Sequence, residues 1–308
     1  MMKVEKVKAH GSKLEALLTN SKLPKEDLHN VRCAIDNYQE WIDKLKNSDK
    51  NGDDLLIYMV DSLNIYKNSI DIDLIFKSES DFLYRQNGQL KLSNSILEEF
   101  LPYLFDERLI PGFSNIKNAV CGPQSSFSGL SFGSPLLKLS QGGVFLKKKD
   151  QDFSVAKKHT ITIKDNPTSG DIFSANFCVS HFATEIKTNL DKTMFQEASQ
   201  TANELKSAVP GARYLLLCEY LDMTPITTKL TSIDEVIVLR KAKRLSSNIR
   251  KDFSSVKGRK NYLEHYSKFI KSHPLSIDSF RRFIHHLNDC FPADNNETDD
   301  TIINRGYF

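Results

Sequence analysis

The sequence has no apolar run approaching the roughly 18 residues of a membrane-crossing helix, and its first twenty residues, MMKVEKVKAHGSKLEALLTN, interrupt their hydrophobics with Lys and Glu. No membrane partner is expected, and a cytoplasmic location is. The five cysteines, Cys33, Cys121, Cys178, Cys218 and Cys290, are odd in number and never form a CxxC pair. Neither a disulfide framework nor a zinc ribbon follows from them, and they read as buried thiols. Phosphate-cradling loops, dinucleotide fingerprints, nucleophile elbows and internal repeats are all missing.

With 40% hydrophobic and 26% charged residues over 308 positions, the chain can bury a sizeable core. A net charge of +3 hides an asymmetry: residues 1–100 carry 14 Lys and Arg against 17 Asp and Glu, so the basic excess lies in the remainder. It concentrates at 240–260, RKAKRLSSNIRKDFSSVKGRK, with nine basic residues against Asp252 alone. Such a stretch can neutralise a phosphate backbone without reading sequence, although a solvated basic face would look the same.

Apolar residues at three- and four-residue spacing predict helices over 31–45, 54–66 and 96–105, the last behind the start signal Ser93-Asn94-Ser95 with Glu98 and Glu99 in its first turn. Residues 111–143 hold six of thirteen glycines with Pro111, Pro123 and Pro135, and read as a long connection. Short strand-like runs follow at 144–146, 152–156, 160–163 and 177–187, then a helix over 194–209 and strands at 213–220 and 233–239. The remaining sixty residues read as helical, with an Asn- and Asp-rich tail expected to be partly disordered. This order predicts an α/β (α+β) chain, a mixed sheet flanked by helices. It divides into a helical N-terminal region (1–90), a core (91–245) and a helical C-terminal region (246–308), basic at its start.

The chemistry concentrates in ATEIKTNLDK, residues 183–192. Glu185 and Lys187 are two apart at the end of a strand-like run, which sets them on one face. The triplet recurs at Glu204-Leu205-Lys206, but on a helix, where residues two apart diverge. A carboxylate beside an ammonium at a sheet edge suits a hard divalent cation and an attacking water; a solvated edge pair is the plain alternative. A second carboxylate would come from Asp152, which opens a strand behind the basic cluster Lys147, Lys148 and Lys149, or from Asp171, which is closer to Glu185 in sequence but lies in a turn; the strand and the basic cluster favour Asp152. His285, His286 and Cys290 lack a second ligand pair and read as part of an amphipathic helix. His181, on the strand leading to Glu185, reads as an ordinary sheet histidine.

EIKTNLDK at 185–192 resembles the catalytic segment of the Bpu-ten-I type of restriction endonuclease, a small family with BbvCI and DdeI as apparent relatives. The resemblance extends in order to 144–152 (VFLKKKDQD), to Ser80-Asp81-Phe82 with 96–105 (ILEEFLPYLF), and to 233–244 (IDEVIVLRKAKR). It implies a PD-(D/E)xK nuclease fold and Mg²⁺-dependent cleavage of double-stranded DNA to 5′-phosphate and 3′-hydroxyl ends. Asp152 would take the role of the motif's Asp, although no Pro precedes it, and Glu185 and Lys187 those of its E-x-K. The Ile186 carbonyl would join Asp152 and Glu185 on the metal, with Glu99 and Asp171 as accessory acids. Lys147, Lys148, Lys149, Arg240, Lys241, Lys243, Arg244, Arg250 and Lys251 would contact DNA. The expected assembly is a homodimer on a palindromic target, or a heterodimer with a second subunit. The competing readings are a non-specific, repair or nicking nuclease of the same fold, and a DNA-binding protein without catalysis.

Overall fold

The computed structural model describes residues 8–133, 143–164 and 172–293, with 303, 304 and 306. Asp171 and most of the Asn- and Asp-rich tail lie outside them.

Helices α1 (Gly11–Leu18), α2 (Leu28–Lys46) and α3 (Gly52–Asn68) open the chain. In α2 the stripe is Val31, Ala34, Tyr38, Trp41, Ile42 and Leu45, all buried at the spacing that marks the helix in sequence. Helix α3 runs on into a wider π-type segment, Ser69–Phe76. After α4 (Phe82–Leu90), α5 covers only Ser95–Phe100 and then tightens to a 3-10 turn over Leu101–Leu104, where Pro102 has no amide hydrogen to continue the α pattern.

The five strands lie in the order β1-β2-β3-β4-β5. Strands β1 (Ala119–Phe132), β2 (Val144–Lys164) and β3 (Ile172–Leu190) are antiparallel neighbours. Strands β4 (Arg213–Leu221) and β5 (Glu235–Ala242) continue parallel to β3. The crossover from β3 to β4 is α6 (Lys192–Ala208), whose first turn is capped by Asp191 accepting from the Met194 amide at 2.9 Å. Two short helical turns, α7 (Ser247–Arg250) and Lys251–Ser254, lead into α8 (Val256–Ser272) and α9 (Ile277–Cys290).

Two expectations are corrected. Residues 111–143 are not one long connection: 119–132 form the edge strand β1, in which Gly122 (φ 130°) and Gly129 (φ 157°) sit at register shifts. Glycine and proline read as loop signals but here supply β-bulges in an edge strand, where Pro123 breaks no ladder that the interior needs. The separate short runs from 144 to 187 are parts of two long strands, of which β2 buries only its middle.

Alternation along the strands sorts the sheet into two faces. Phe153, Val155, Phe182, Ile186, Leu215, Leu217, Ile237 and Leu239 pack into the larger core with α1–α3, α5 and α9. Ala183, Tyr214, Leu216 and Cys218 pack on the other face against Phe195, Ala198, Ala202 and Leu205 of α6. The N-terminal helices and α9 thus share one core with the sheet.

Candidate active site

The α6 face of the sheet is where the chemistry converges. Residues 183, 185 and 187 of β3 share this face with Asp152 of β2, since their neighbours 153, 182 and 186 all point into the opposite core. Lys187 Nζ lies 2.6 Å from Glu185 Oε1, so the i, i+2 pair predicted from the strand period is an ion pair. The second oxygen of Glu185 accepts from the hydroxyl of buried Tyr214 at 2.6 Å. Asp152 Oδ2 accepts from the Ile186 amide at 2.7 Å, tying β2 to β3 beside the Glu-x-Lys segment.

Burial raises the Asp152 carboxyl to about 6, against the pull of the Ile186 N–H; the Glu98 and Glu185 carboxylates add to the rise and Lys187 opposes it. Burial works against the Lys187 ammonium, but Glu185 and then Asp152 offset it and hold the group above its ordinary value. Lys187 is therefore a cation at neutral pH. It suits water placement and phosphate charge better than proton abstraction.

The acidic residue that helix α5 turns toward this group is Glu98, not Glu99. Glu99 is buried on the far side, accepting from the His10 and Gly11 amides at 2.7 and 3.0 Å and from the Tyr38 hydroxyl at 2.6 Å. It is a structural acceptor for the start of α1 and cannot serve as an accessory acid. Asn94 donates to Glu98 at 3.1 Å and reaches the Ile186 carbonyl at 3.5 Å, linking α5 to β3. Lys13 of α1 lies within electrostatic range of Glu98 and Asp152. Tyr214, Asn94, Glu98 and Lys13 were all missed from sequence; only the position of Glu98 one residue from a named acid was a signal.

The basic residues also divide. Arg240 is 1% exposed, donating to Glu219 Oε2 at 2.9 Å and to the His273 carbonyl at 2.8 Å. It cannot reach DNA from there, so its assignment as a DNA contact is withdrawn. Arg259, from the same basic run, is equally buried, bonded to the carbonyls of Ser80 and Phe253 at 2.7 and 2.9 Å. Lys147, Lys148, Lys241, Lys243 and Lys251 are exposed. Lys149 pairs with Glu204 at 3.2 Å and Lys241 with Asp278 at 2.8 Å. Arg244 and Arg250 are half-buried and line the same cavity, about 560 Å³, as Lys149, Asp152, Glu185 and Lys187. His181 is exposed, and His286 is bonded to Glu235 at 2.6 Å and Arg213 at 2.8 Å within the fold. All five cysteines are free thiols.

The model of the Bpu10I restriction endonuclease family matches residues 89–308. The chain belongs to this family. The Bpu10I-family match covers the whole sheet, α6 and the C-terminal helices, and starts after α1–α3. Among solved structures the chain is similar to one described as the native BbvCI A2B2 tetramer at low resolution, with 20% identity, a TM-score of 0.51, and coverage of 87% of this chain and 98% of that one. That likeness is one of fold, and its 87% coverage extends over more of the chain than the family match does. No curated protein sequence matches. Among the described residues, no helix is long and apolar enough to cross a membrane.

Proposed function

We propose that this Bpu10I-family chain is a type II restriction endonuclease that cuts double-stranded DNA at a specific sequence in a Mg²⁺-dependent reaction, leaving 5′-phosphate and 3′-hydroxyl ends. The observation that carries the reading is the meeting of Asp152, Glu185 and Lys187 on one face of the sheet in a cavity edged by Lys149, Arg244 and Arg250. Among the described residues no three His, Cys, Asp or Glu side chains form a ready metal cluster. The donor set is two carboxylates and the Ile186 carbonyl, all oxygen. That composition fits a small hard cation that keeps part of its water shell. The desolvated Asp152, pushed up by its acidic neighbours, is the kind of group a cation would relieve.

When bound, the cation would polarise the scissile phosphate and offset the charge that develops on it. Asp152, Glu185 and the Ile186 carbonyl would hold it. Tyr214 orients Glu185, and Asn94, which also donates to Glu98, reaches the Ile186 carbonyl. Lys187, charged, would place the water in line with the departing 3′ oxygen. Lys147, Lys148 and Lys149 would bear on backbone phosphates, as would Arg244 and Arg250 on the cavity wall and the exposed Lys241, Lys243 and Lys251. The described residues hold one such site, so cutting both strands calls for a paired assembly. A homodimer suits a palindromic target; the two subunit types in the BbvCI tetramer make a second, different chain the alternative. A cytoplasmic location is part of the same proposal.

The test is digestion of mixed plasmid and phage DNA with Mg²⁺ or EDTA. Discrete bands with Mg²⁺ and none with EDTA are expected, and Glu185→Ala or Lys187→Ala should lower the rate by a factor of 10³ or more while leaving DNA binding measurable. A Glu185→Ala protein that cuts at the wild-type rate would refute the scheme; a smear would reassign the chain to non-specific nucleases.

A further inference from the structure

The cleavage scheme uses only the outer part of the 560 Å³ cavity, a volume within the range of ligand pockets. Its other walls are aromatic: Phe76, Tyr84, Tyr220, Phe253, Tyr266 and Phe269. These rings brace one another and are backed by buried cations. Phe76 stacks on Tyr266 at 4.2 Å between centroids and Phe269 on Tyr220 at 5.9 Å. The buried guanidinium groups of Arg240 and Arg259 lie 5.7 and 5.4 Å from the centroids of Tyr220 and Tyr84. A pocket whose faces are held this way loses little freedom when something flat enters it.

Three phenol hydroxyls on these walls are idle. The hydroxyls of Tyr84, Tyr220 and Tyr266 make no hydrogen bond to any described residue, although burial pushes all three phenols above their ordinary range. Tyr220 is buried and Tyr84 and Tyr266 are half-buried, and none of the three oxygens is sealed off among the described residues, so all three remain open to an incoming group. At the same cavity Arg250 gives its Nε to the Leu245 carbonyl at 2.8 Å, and the rest of its guanidinium has no partner among the described residues. Arg244 has no hydrogen bond or ion pair among the described residues, and burial, with Arg250 next to it, pulls it below its ordinary range. Two adjacent half-buried guanidiniums, neither touching a carboxylate, form an anion site.

An aromatic slot with unused polar edges next to paired guanidiniums matches one chemical unit. We propose that this part of the cavity binds a single nucleotide with its base unpaired, the base against the Tyr and Phe rings and the phosphate at Arg244 and Arg250. Its source is an extrahelical nucleotide of the bound duplex, an assignment that rests on the nuclease reading; swinging a base out of the stack costs a few kcal/mol. A free nucleotide presents the same groups.

The two sources separate in a binding assay on the full chain with Ca²⁺ in place of Mg²⁺. Two duplexes of one sequence are compared by fluorescence anisotropy, one fully paired and one carrying a single bulged 2-aminopurine. The bulged duplex should bind about tenfold tighter, the worth of one stacked base, with its 2-aminopurine emission quenched. Tyr266→Phe, which keeps the ring, should cut that preference about threefold, and Arg244→Ala should remove most of it. Saturable binding of AMP or CMP that Arg244→Ala abolishes, without preference for the bulge, would assign the site to a free nucleotide. Equal affinity for both duplexes, unchanged emission and no AMP or CMP binding would overturn the proposal. The assay does not depend on cutting, so a chain that never cleaves DNA fails the nuclease reading alone.

Discussion

Replacing Arg240 by Ala should unfold the protein far more readily than its place in a basic run would imply. Arg240 belongs to a closed ionic group inside the fold with Lys67, Asp71 and Glu219: Lys67 lies 3.2 and 2.9 Å from the two acids, and Arg240 3.6 and 2.9 Å. Two cations balance two anions. Without Arg240 one anion is left in excess on a largely buried stretch of the cavity wall, and the His273 carbonyl loses its donor. Removing one member of a buried pair costs about 3–5 kcal/mol. The lower end applies, because Arg240 Nη2 makes no hydrogen bond and its contact with Asp71 is long. At about 2–4 °C per kcal/mol for a large domain, Tm should fall by roughly 6–12 °C. Lys241→Ala is the control: its side chain is 56% exposed and its partner Asp278 64%, so its loss should stay within about 0.5 kcal/mol. Urea unfolding by circular dichroism measures both, with duplex binding at low temperature alongside. If Arg240→Ala lost less than about 1 kcal/mol of stability while losing DNA affinity tenfold, the guanidinium would be a DNA contact after all and the interior assignment wrong.

Three other outcomes are expected. Tyr214→Phe removes the donor that fixes Glu185 and should slow cleavage by about 10–100-fold, partly recovered at high Mg²⁺; an unchanged rate across Mg²⁺ concentrations would remove Tyr214 from the site. The folded Asp152 carboxyl, at about 6, lies above its ordinary 3.8, so the folded state binds the extra proton and stability falls as pH rises between those values. Asp152→Asn should therefore raise the Tm of metal-free protein at pH 7.5, by at most about 3 kcal/mol in stability, with the gain vanishing by pH 4; a gain that persists at pH 4 would contradict the cause. Gly258→Ala would place a Cβ 1.9 Å from the Asp252 carbonyl and should cost about 1–3 kcal/mol, whereas Gly88→Ala meets nothing within 4 Å and should be neutral or stabilising; thermal melts compare them.

The helices and the Glu185/Lys187 pair were legible because each depends on a local period: three to four residues for a buried stripe, two for a shared strand face. What was not legible depends on the third dimension. Strand β1 was hidden because glycine and proline mark turns and bulges alike, and only pairing with β2 separates the two. Glu98 and Glu99 are adjacent carboxylates on one helix, and which of them faces the sheet was decided by the amides of His10 and Gly11, some ninety residues upstream. Arg240 and Arg259 looked like part of a solvated run because a sequence shows charge but not counter-charge; their partners sit as far away as Asp71 and Ser80. Tyr214 read as one of several apolar strand residues, with nothing local to say that its hydroxyl meets Glu185.

The bond from the Ile186 amide to Asp152 makes the site a gauge of how two strands were zipped together. Were β2 to slide by one position along β3, Asp152 would turn toward the large core and Phe153 toward the α6 side, since neighbouring strand residues face opposite ways. No half-aligned intermediate keeps Asp152 beside Glu185, so on the proposed reading an immature chain is a harmless one. A cell making such an enzyme would meet its cutting power only after the hydrophobic interior had already approved the alignment.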